Sequence, residues 1–505
     1  MTILKRIAIF VLMPLAFFSV NLMSEHLLLF LSVLIFTALL VMKVGSKFGV
    51  PSLLLFLIMG MVAGSDGLGL QFEDYEGAEF IGHLALTIII FTAGLETSLT
   101  HTKPVLKQGI ALSTAGLLLT IVFAGTFIYL VLGKHYGVAA LSCFLLPAIM
   151  GSTDSASVFS ILHDKRLHLR ENLAPMLELE SGSNDPLAYT ATLILIQIIT
   201  TMQTTAESAG ALVLKGLGII ALQIAVGVAV GLAIGQGAKW LLNKISLPSV
   251  ALYSIMILSI GFFANGIAGI LHGNGLLALY ITAITIGNKV ELKRKKEILS
   301  FFDGMTWLMQ LLMFLMLGLL ARPSKMLPAL GPAVLIGLFI MFVARPASVL
   351  ISLAPFRGLS FKAKIFTSWV GLKGAGPILF ALAPVLAGFD GATDIFNIVF
   401  LITLFSLVLQ GMTLEPFARL LHLTYEQDPE VETFGMEVPE EMGLLRDHIV
   451  TADDLSCGST LREMSLPHGI RVMMVRRGDR FLVPHGSMML EEGDRLIIIM
   501  GESDD

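Results

Sequence analysis

The chain has 505 residues, 55% of them hydrophobic and 14% charged, with a mean hydropathy of +0.84. No soluble globular protein of this length hides so much apolar surface, so the composition excludes one and predicts a polytopic membrane protein. The net charge of −5 is unevenly spread, and the two cysteines, Cys143 in an apolar span and Cys457 in the polar tail, exclude a disulfide framework.

Lys5 and Arg6 precede an apolar run from Ile7 to Val20, so residues 1–23 read as an extra helix or a signal-like segment. Further apolar spans follow at roughly 25–42, 51–64, 80–98, 105–133, 137–160, 172–203, 209–242, 248–271, 274–288, 304–321, 329–354, 364–388 and 393–420. Lys and Arg gather in alternate loops, at Lys43, Lys47, Lys103, Lys165, Lys244, Lys293 and Lys364 among others. The opposite loops hold only Lys134, Arg322 and Lys325, with Lys215 near a helix end. That asymmetry predicts a cytoplasmic tail after Leu420. The outer loop Asp66 to Glu79 carries Asp66, Glu73, Asp74, Glu76 and Glu79 without a base, and reads as a solvated loop or a cation-attracting vestibule.

Residues 421–440 are acidic, contain Pro429 and Pro439, and read as a linker. Residues 441–505 change pattern. Ile470 to Val475 and Arg495 to Met500 are strand-like, with a turn signal at Arg477-Gly478-Asp479-Arg480, which predicts a small α+β module too small for a large core of its own.

The apolar spans contain polar groups that membrane insertion disfavours, and by default these mark an ion or proton pathway. The span near 172–203 holds Glu180-Ser181-Gly182-Ser183-Asn184-Asp185-Pro186, and Pro186 leaves the Gly182 carbonyl without its helical partner. The preceding span holds Pro147 and Gly151-Ser152-Thr153-Asp154-Ser155, which predicts an interrupted helix. A later span is interrupted in the same manner by Gly371-Leu372-Lys373-Gly374-Ala375-Gly376-Pro377. Paired interruptions in two halves point to an inverted-repeat transporter with its site at the repeat interface.

Glu180 and Asn184 share a helix face, and Asp185 is turned by about 100°. Lys373 is assigned to Glu180 as a structural ion pair, which leaves Asp185 uncompensated. A carboxylate in a partly dry cavity can hold a proton or a cation in competition. Asp154 reads as a ligand or as the cap of a half-helix. Arg345 reads as structural and as sharing Glu180 or another acid, with its partner not fixed by sequence. Glu96 and Glu178 lie near helix ends or face the cavity.

Gly151-Ser152-Thr153-Asp154, Glu180 to Pro186, and Ser368-Trp369-Val370-Gly371-Leu372-Lys373-Gly374-Ala375 together resemble the signature segments of bacterial monovalent cation:proton antiporters of the Asn-Asp type. Within that family the likeness is to the potassium/proton antiporters linked with cell-volume regulation. The resemblance implies an all-α inverted-repeat fold with two crossed broken helices, a thirteen-helix antiporter domain over residues 24–420, and a homodimer in the bacterial inner membrane. It also implies a cation held by Asp185, Asp154, Ser181 and the Thr153 backbone, with Asn184 steadying the site and Glu180 paired to a base on the later broken helix. Exchange of K⁺, or Na⁺, for H⁺ would be electroneutral and use alternating access.

The family shows Arg where this chain has Lys373, and Lys lacks the bidentate fork. The segment Gly458 to Gly501 resembles the C-terminal half of the regulator-of-potassium-conductance module, which implies a small regulatory ligand. No cofactor, enzymatic step or nucleic-acid partner is expected. A gated cation channel would need a carbonyl filter such as Thr-Val-Gly-Tyr-Gly, and an intramembrane aspartyl protease a Gly-x-Gly-Asp motif. The chain carries neither.

Overall fold

The computed structural model describes residues 24–45, 51–134, 139–164, 167–204, 208–290, 294–356, 358–426, 445–451, 454–455, 458–464, 470–477 and 480–500. The expected N-terminal segment 1–23, linker residues 427–440, the turn residues Gly478 and Asp479, and Cys457 lie outside them. Two compact units result, Met1–Tyr425 and Glu426–Asp505.

Among the described residues of the first unit, eight helices are long and apolar enough to cross a membrane, and three further apolar helices are shorter. The chain is therefore a multi-pass membrane protein. Small residues set how closely these helices cross. A Cβ at Gly60 in helix Ser52–Ala63 would stand 2.8 Å from the Gly318 Cα in helix Lys295–Leu320, so the two backbones touch. Lipid tails supply no hydrophobic drive between helices, so such contact is what holds them.

Two helices are interrupted where Gly, Pro and short polar residues cluster. The first runs Ser142–Ile149, unwinds, and resumes at Ser155–Asp164. The second runs Phe361–Trp369, unwinds, and resumes at Ala375–Phe380. The central helix, Leu173–Thr204, follows the first interrupted helix and continues through Pro186. Asn274 braces it there, donating from Nδ2 to the Pro186 carbonyl at 3.0 Å and to Thr190 Oγ1 at 2.9 Å.

The helix ahead of each interrupted one carries a wide, π-helical turn: Leu112–Gly116 in Leu99–Gly133 and Ile340–Ala344 in Pro323–Ser352. The second of these directly precedes Arg345 and Pro346, whose missing N–H such a turn accommodates. The matching placement is what an internal repeat produces.

The acids of the loop 66–79 have local work. Asp66 Oδ2 accepts from the Ser324 N–H at 2.7 Å, Glu73 pairs with Arg322, and Asp74 caps helix Tyr75–Glu96 through the Gly77 N–H at 2.8 Å. The Ser324 N–H, then its hydroxyl, hold Asp66 below the usual carboxylate range.

The second unit is a four-stranded antiparallel sheet in the order Leu445–Ile449, Arg495–Met500, Ile470–Arg477, Arg480–Leu482. Register shifts by one residue between Val472 and Met474, a bulge that twists the strand. Val450, Met464, Val475, Leu490, Leu496 and Ile498 form its core.

Candidate functional site

The two interruptions meet and cap each other. Unwinding leaves backbone groups that a membrane interior cannot hydrate, so each must find a partner within the protein. The Asp154 N–H donates to the Leu372 carbonyl at 2.9 Å, and Lys373 Nζ donates to the Ser152 carbonyl at 2.9 Å. The Lys373 N–H donates to Ser406 Oγ at 2.9 Å, and Ser406 and Gln410 pass the chain on to the Trp369 carbonyl. A Cβ at Gly374 would strike the Asp154 carboxylate, so only glycine lets the two breaks come this close.

The central helix closes the site from one side. Ser181 Oγ donates to the Thr153 carbonyl at 2.7 Å and accepts from the Ser155 N–H at 3.2 Å. Asn184 Nδ2 donates to Thr153 Oγ1 at 2.7 Å. Ser152 Oγ donates to Asp185 Oδ1 at 2.5 Å. Thus Asp185, Asp154, Thr153, Ser181 and Asn184, all expected from sequence, come together at the first break. Asp154 also caps the resumed half-helix, accepting from the Ser157 N–H at 3.0 Å and from the Ser157 hydroxyl. The capping reading and the ligand reading therefore fall on the same side chain.

Ser152, Thr153, Asp154, Ser181 and Asp185 line one cavity of about 60 Å³, closed elsewhere by Ile89, Phe314, Gly374 and Gln310. That is room for about two waters at roughly 30 Å³ each, or for a partly dehydrated monovalent ion. Among the described residues no base lies within ion-pair distance of Asp185, and Lys373 acts on it only through its charge at longer range.

The partner assigned to Glu180 is corrected. Its carboxylate meets Arg345 Nη2 at 2.5 Å, both side chains being buried, and Lys373 turns to the Ser152 carbonyl instead. Arg345 reaches this place because its guanidinium lies under the second break, beside the backbone of Gly371. A planar fork suits a buried carboxylate, whereas a compact ammonium suits the carbonyls that an ended half-helix leaves free. The Arg345 contact is a charge pair without hydrogen-bond alignment, and Glu180 Oε1 and two guanidinium nitrogens have no aligned partner.

Sequence reasoning assigns Ser152 only to satisfying the unwound backbone and misses its bond to Asp185, and it misses Gln310 altogether. Gln310 sits alone among Leu308, Met309, Leu311 and Leu312, a lone amide in an apolar run that could have been read as facing a cavity.

A family model described as "Sodium/hydrogen exchanger, transmembrane" matches residues 30–420, and a TrkA-C domain model matches residues 445–504. A protein named K(+)/H(+) antiporter NhaP2 from Shewanella baltica is 35% identical over 463 residues, covering 91% of this chain and 78% of that one. Another, named K(+)/H(+) antiporter NhaP, from Alkalimonas amylolytica, is 36% identical over 465 residues, with 92% and 76% covered. The fold is similar to that of the sodium proton antiporter MjNhaP1 from Methanocaldococcus jannaschii, with a TM-score of 0.65 at 22% identity, covering 78% of this chain and 97% of that one.

Proposed function

Since this chain belongs to the sodium/hydrogen exchanger family, we propose that it exchanges a monovalent cation for a proton around Asp185, by alternating access and without covalent chemistry. The observation that carries the reading is the state of that carboxylate: it borders a small, largely apolar cavity, takes one hydrogen bond from Ser152 and, among the described residues, has no base within ion-pair distance. Such a group binds either a proton or an alkali cation, and competition between the two couples their opposed movements.

In this reading Asp185, Asp154, Ser181 and Thr153 offer oxygens to the ion, and Asn184 steadies Thr153. Glu180 and Arg345 hold the central helix against the second break. Lys373 stays bound to the Ser152 carbonyl, so one carboxylate exchanges one charge and the cycle is electroneutral. K⁺ is the favoured cargo, after the relatives' names, with Na⁺ the second choice. We further assign the chain to the bacterial inner membrane as a homodimer, with residues 24–420 as a thirteen-helix transport domain. The 441–505 module then lies in the cytoplasm as the seat of a small regulatory ligand.

The test is dye-monitored proton movement in everted vesicles, with each alkali cation added in turn and the voltage clamped. K⁺-driven proton flux that is absent in Asp185→Asn is expected. Flux that survives this substitution would refute the assignment.

A further inference from the structure

The cavity beside Asp185 has a polar side and an apolar one. The interruptions and the central helix supply its acids and hydroxyls, whereas helices Tyr75–Glu96 and Lys295–Leu320 supply Leu86, Ile89, Ile90, Ala93, Met313 and Phe314. Among these apolar neighbours stands one polar side chain, Gln310. It is only 8% exposed, and no described residue shares a hydrogen bond with its amide. That amide is nevertheless open to a water-sized neighbour, unlike the hydroxyls of Thr102 and Ser352, which are sealed. A buried amide without a partner is costly, and a ligand in the cavity would offset the cost.

The direction of the side chain follows from its helix. Phe302, Thr306, Gln310 and Phe314 recur every four residues and so form one ridge. Thr306 Oγ1 donates to Thr92 Oγ1 at 3.0 Å, and the Phe302 ring lies 5.5 Å from that of Phe91, so the ridge is locked against helix Tyr75–Glu96. Phe314 continues it along the cavity wall. Gln310 is thereby held at that wall, on an element that takes no part in either interruption.

We propose that Gln310 is a specificity-determining ligand of the transported cation, its amide oxygen replacing one water that the ion sheds on entering. Asp185 and Asp154 supply the charge, and the amide adds a neutral oxygen from the otherwise apolar side. Neutral oxygens of this kind stand in for a hydration shell, and K⁺, larger than Na⁺ and less tightly hydrated, accepts one more of them readily. Gln310 carries no charge, so the charge balance of the exchange is untouched. The proposal rests on exchange at Asp185, and the test separates the two.

Half-saturating concentrations of K⁺ and Na⁺ are measured by dye-monitored proton movement in everted vesicles. Gln310→Leu matches the neighbouring Leu308, Leu311 and Leu312, and should raise the K⁺ value about threefold to tenfold, the worth of one neutral ligand, and the Na⁺ value by less. Gln310→Glu keeps an oxygen at the same reach and should hold the K⁺ value below that of Gln310→Leu. A merely structural role lowers yield or thermal stability and leaves both half-saturating concentrations in place, which overturns the proposal. Equal shifts for the two cations overturn it too. So does a K⁺ value in Gln310→Glu at or above that of Gln310→Leu, the mark of an amide that serves as a donor to the carboxylates. If Gln310→Leu fails to fold, Gln310→Met, of matching length, carries the same comparison. Exchange that persists in Asp185→Asn overturns the reading at Asp185 instead.

Discussion

Arg345 and Glu180 sit on helices far apart in sequence, yet their charges meet deep in the protein at 2.5 Å. Removing one partner strands the other, which costs about 3–5 kcal/mol at a buried site. Glu180→Ala and Arg345→Ala should therefore each lower the unfolding transition of the purified protein. A double-mutant cycle should show coupling of about 1–3 kcal/mol between these two and clearly less between Glu180 and Lys373. Equal coupling to Lys373 would count against the geometry. At this scale the motifs were legible, because Thr153, Asp154, Ser181, Asn184 and Asp185 are polar groups in spans where lipid disfavours them. The pairing was not, because spacing along a chain carries no distance between spans, and the missing fork of Lys373 weakened its assignment without pointing to Arg345. A second residue-scale expectation concerns Gly182, where a Cβ would stand 2.5 Å from Tyr280 Cζ. Gly182→Ala must displace the ring, so a loss of about 1–3 kcal/mol is expected in thermal unfolding.

Helices give a different lesson. Both interruptions could be read from Pro and Gly beside short hydroxyl side chains, since these residues weaken a helix and can satisfy what unwinding exposes. The span expected at 304–321 instead begins at Lys295. Its early turns carry Lys296, Glu297 and Asp303, so they are too polar for an apolar window to detect. Wide turns such as Ile340–Ala344 leave no mark on hydropathy at all. Crossing distances are equally silent in sequence, because a glycine in a span signals close approach without naming its neighbour. For Gly318, that neighbour is Gly60. Gly318→Ala should force two backbones apart and destabilise the transport unit by about 1–3 kcal/mol, read by thermal unfolding in detergent. An unchanged transition would mean that this crossing can relax.

The whole molecule joins a membrane unit to a small sheet, and the sheet has its own charge chemistry. Arg477 spans the Asp494 carboxylate with Nε at 2.9 Å and Nη2 at 2.7 Å. Burial alone would push Asp494 up, but the Arg477 hydrogen bonds, the Glu491 N–H and the guanidinium charge outweigh it and hold the group below the usual range. A depressed carboxylate contributes stability that is complete above its unfolded value of about 4 and is lost as pH falls through the lower folded value. Hydrogen exchange in strand Arg495–Met500 of the full chain should accelerate over that acid interval, and Asp494→Asn should flatten the dependence. In the membrane unit, the two unwound segments are each other's caps: Asp154 bonds to Leu372 while Lys373 bonds to Ser152. Sliding one past the other would strand backbone and ammonium together in a medium without water. The knot must then travel whole, like a clasp that never opens, so an ion inside it meets the same oxygens whichever compartment it came from. Any difference in grip between the two faces of the membrane must arise in the approaches.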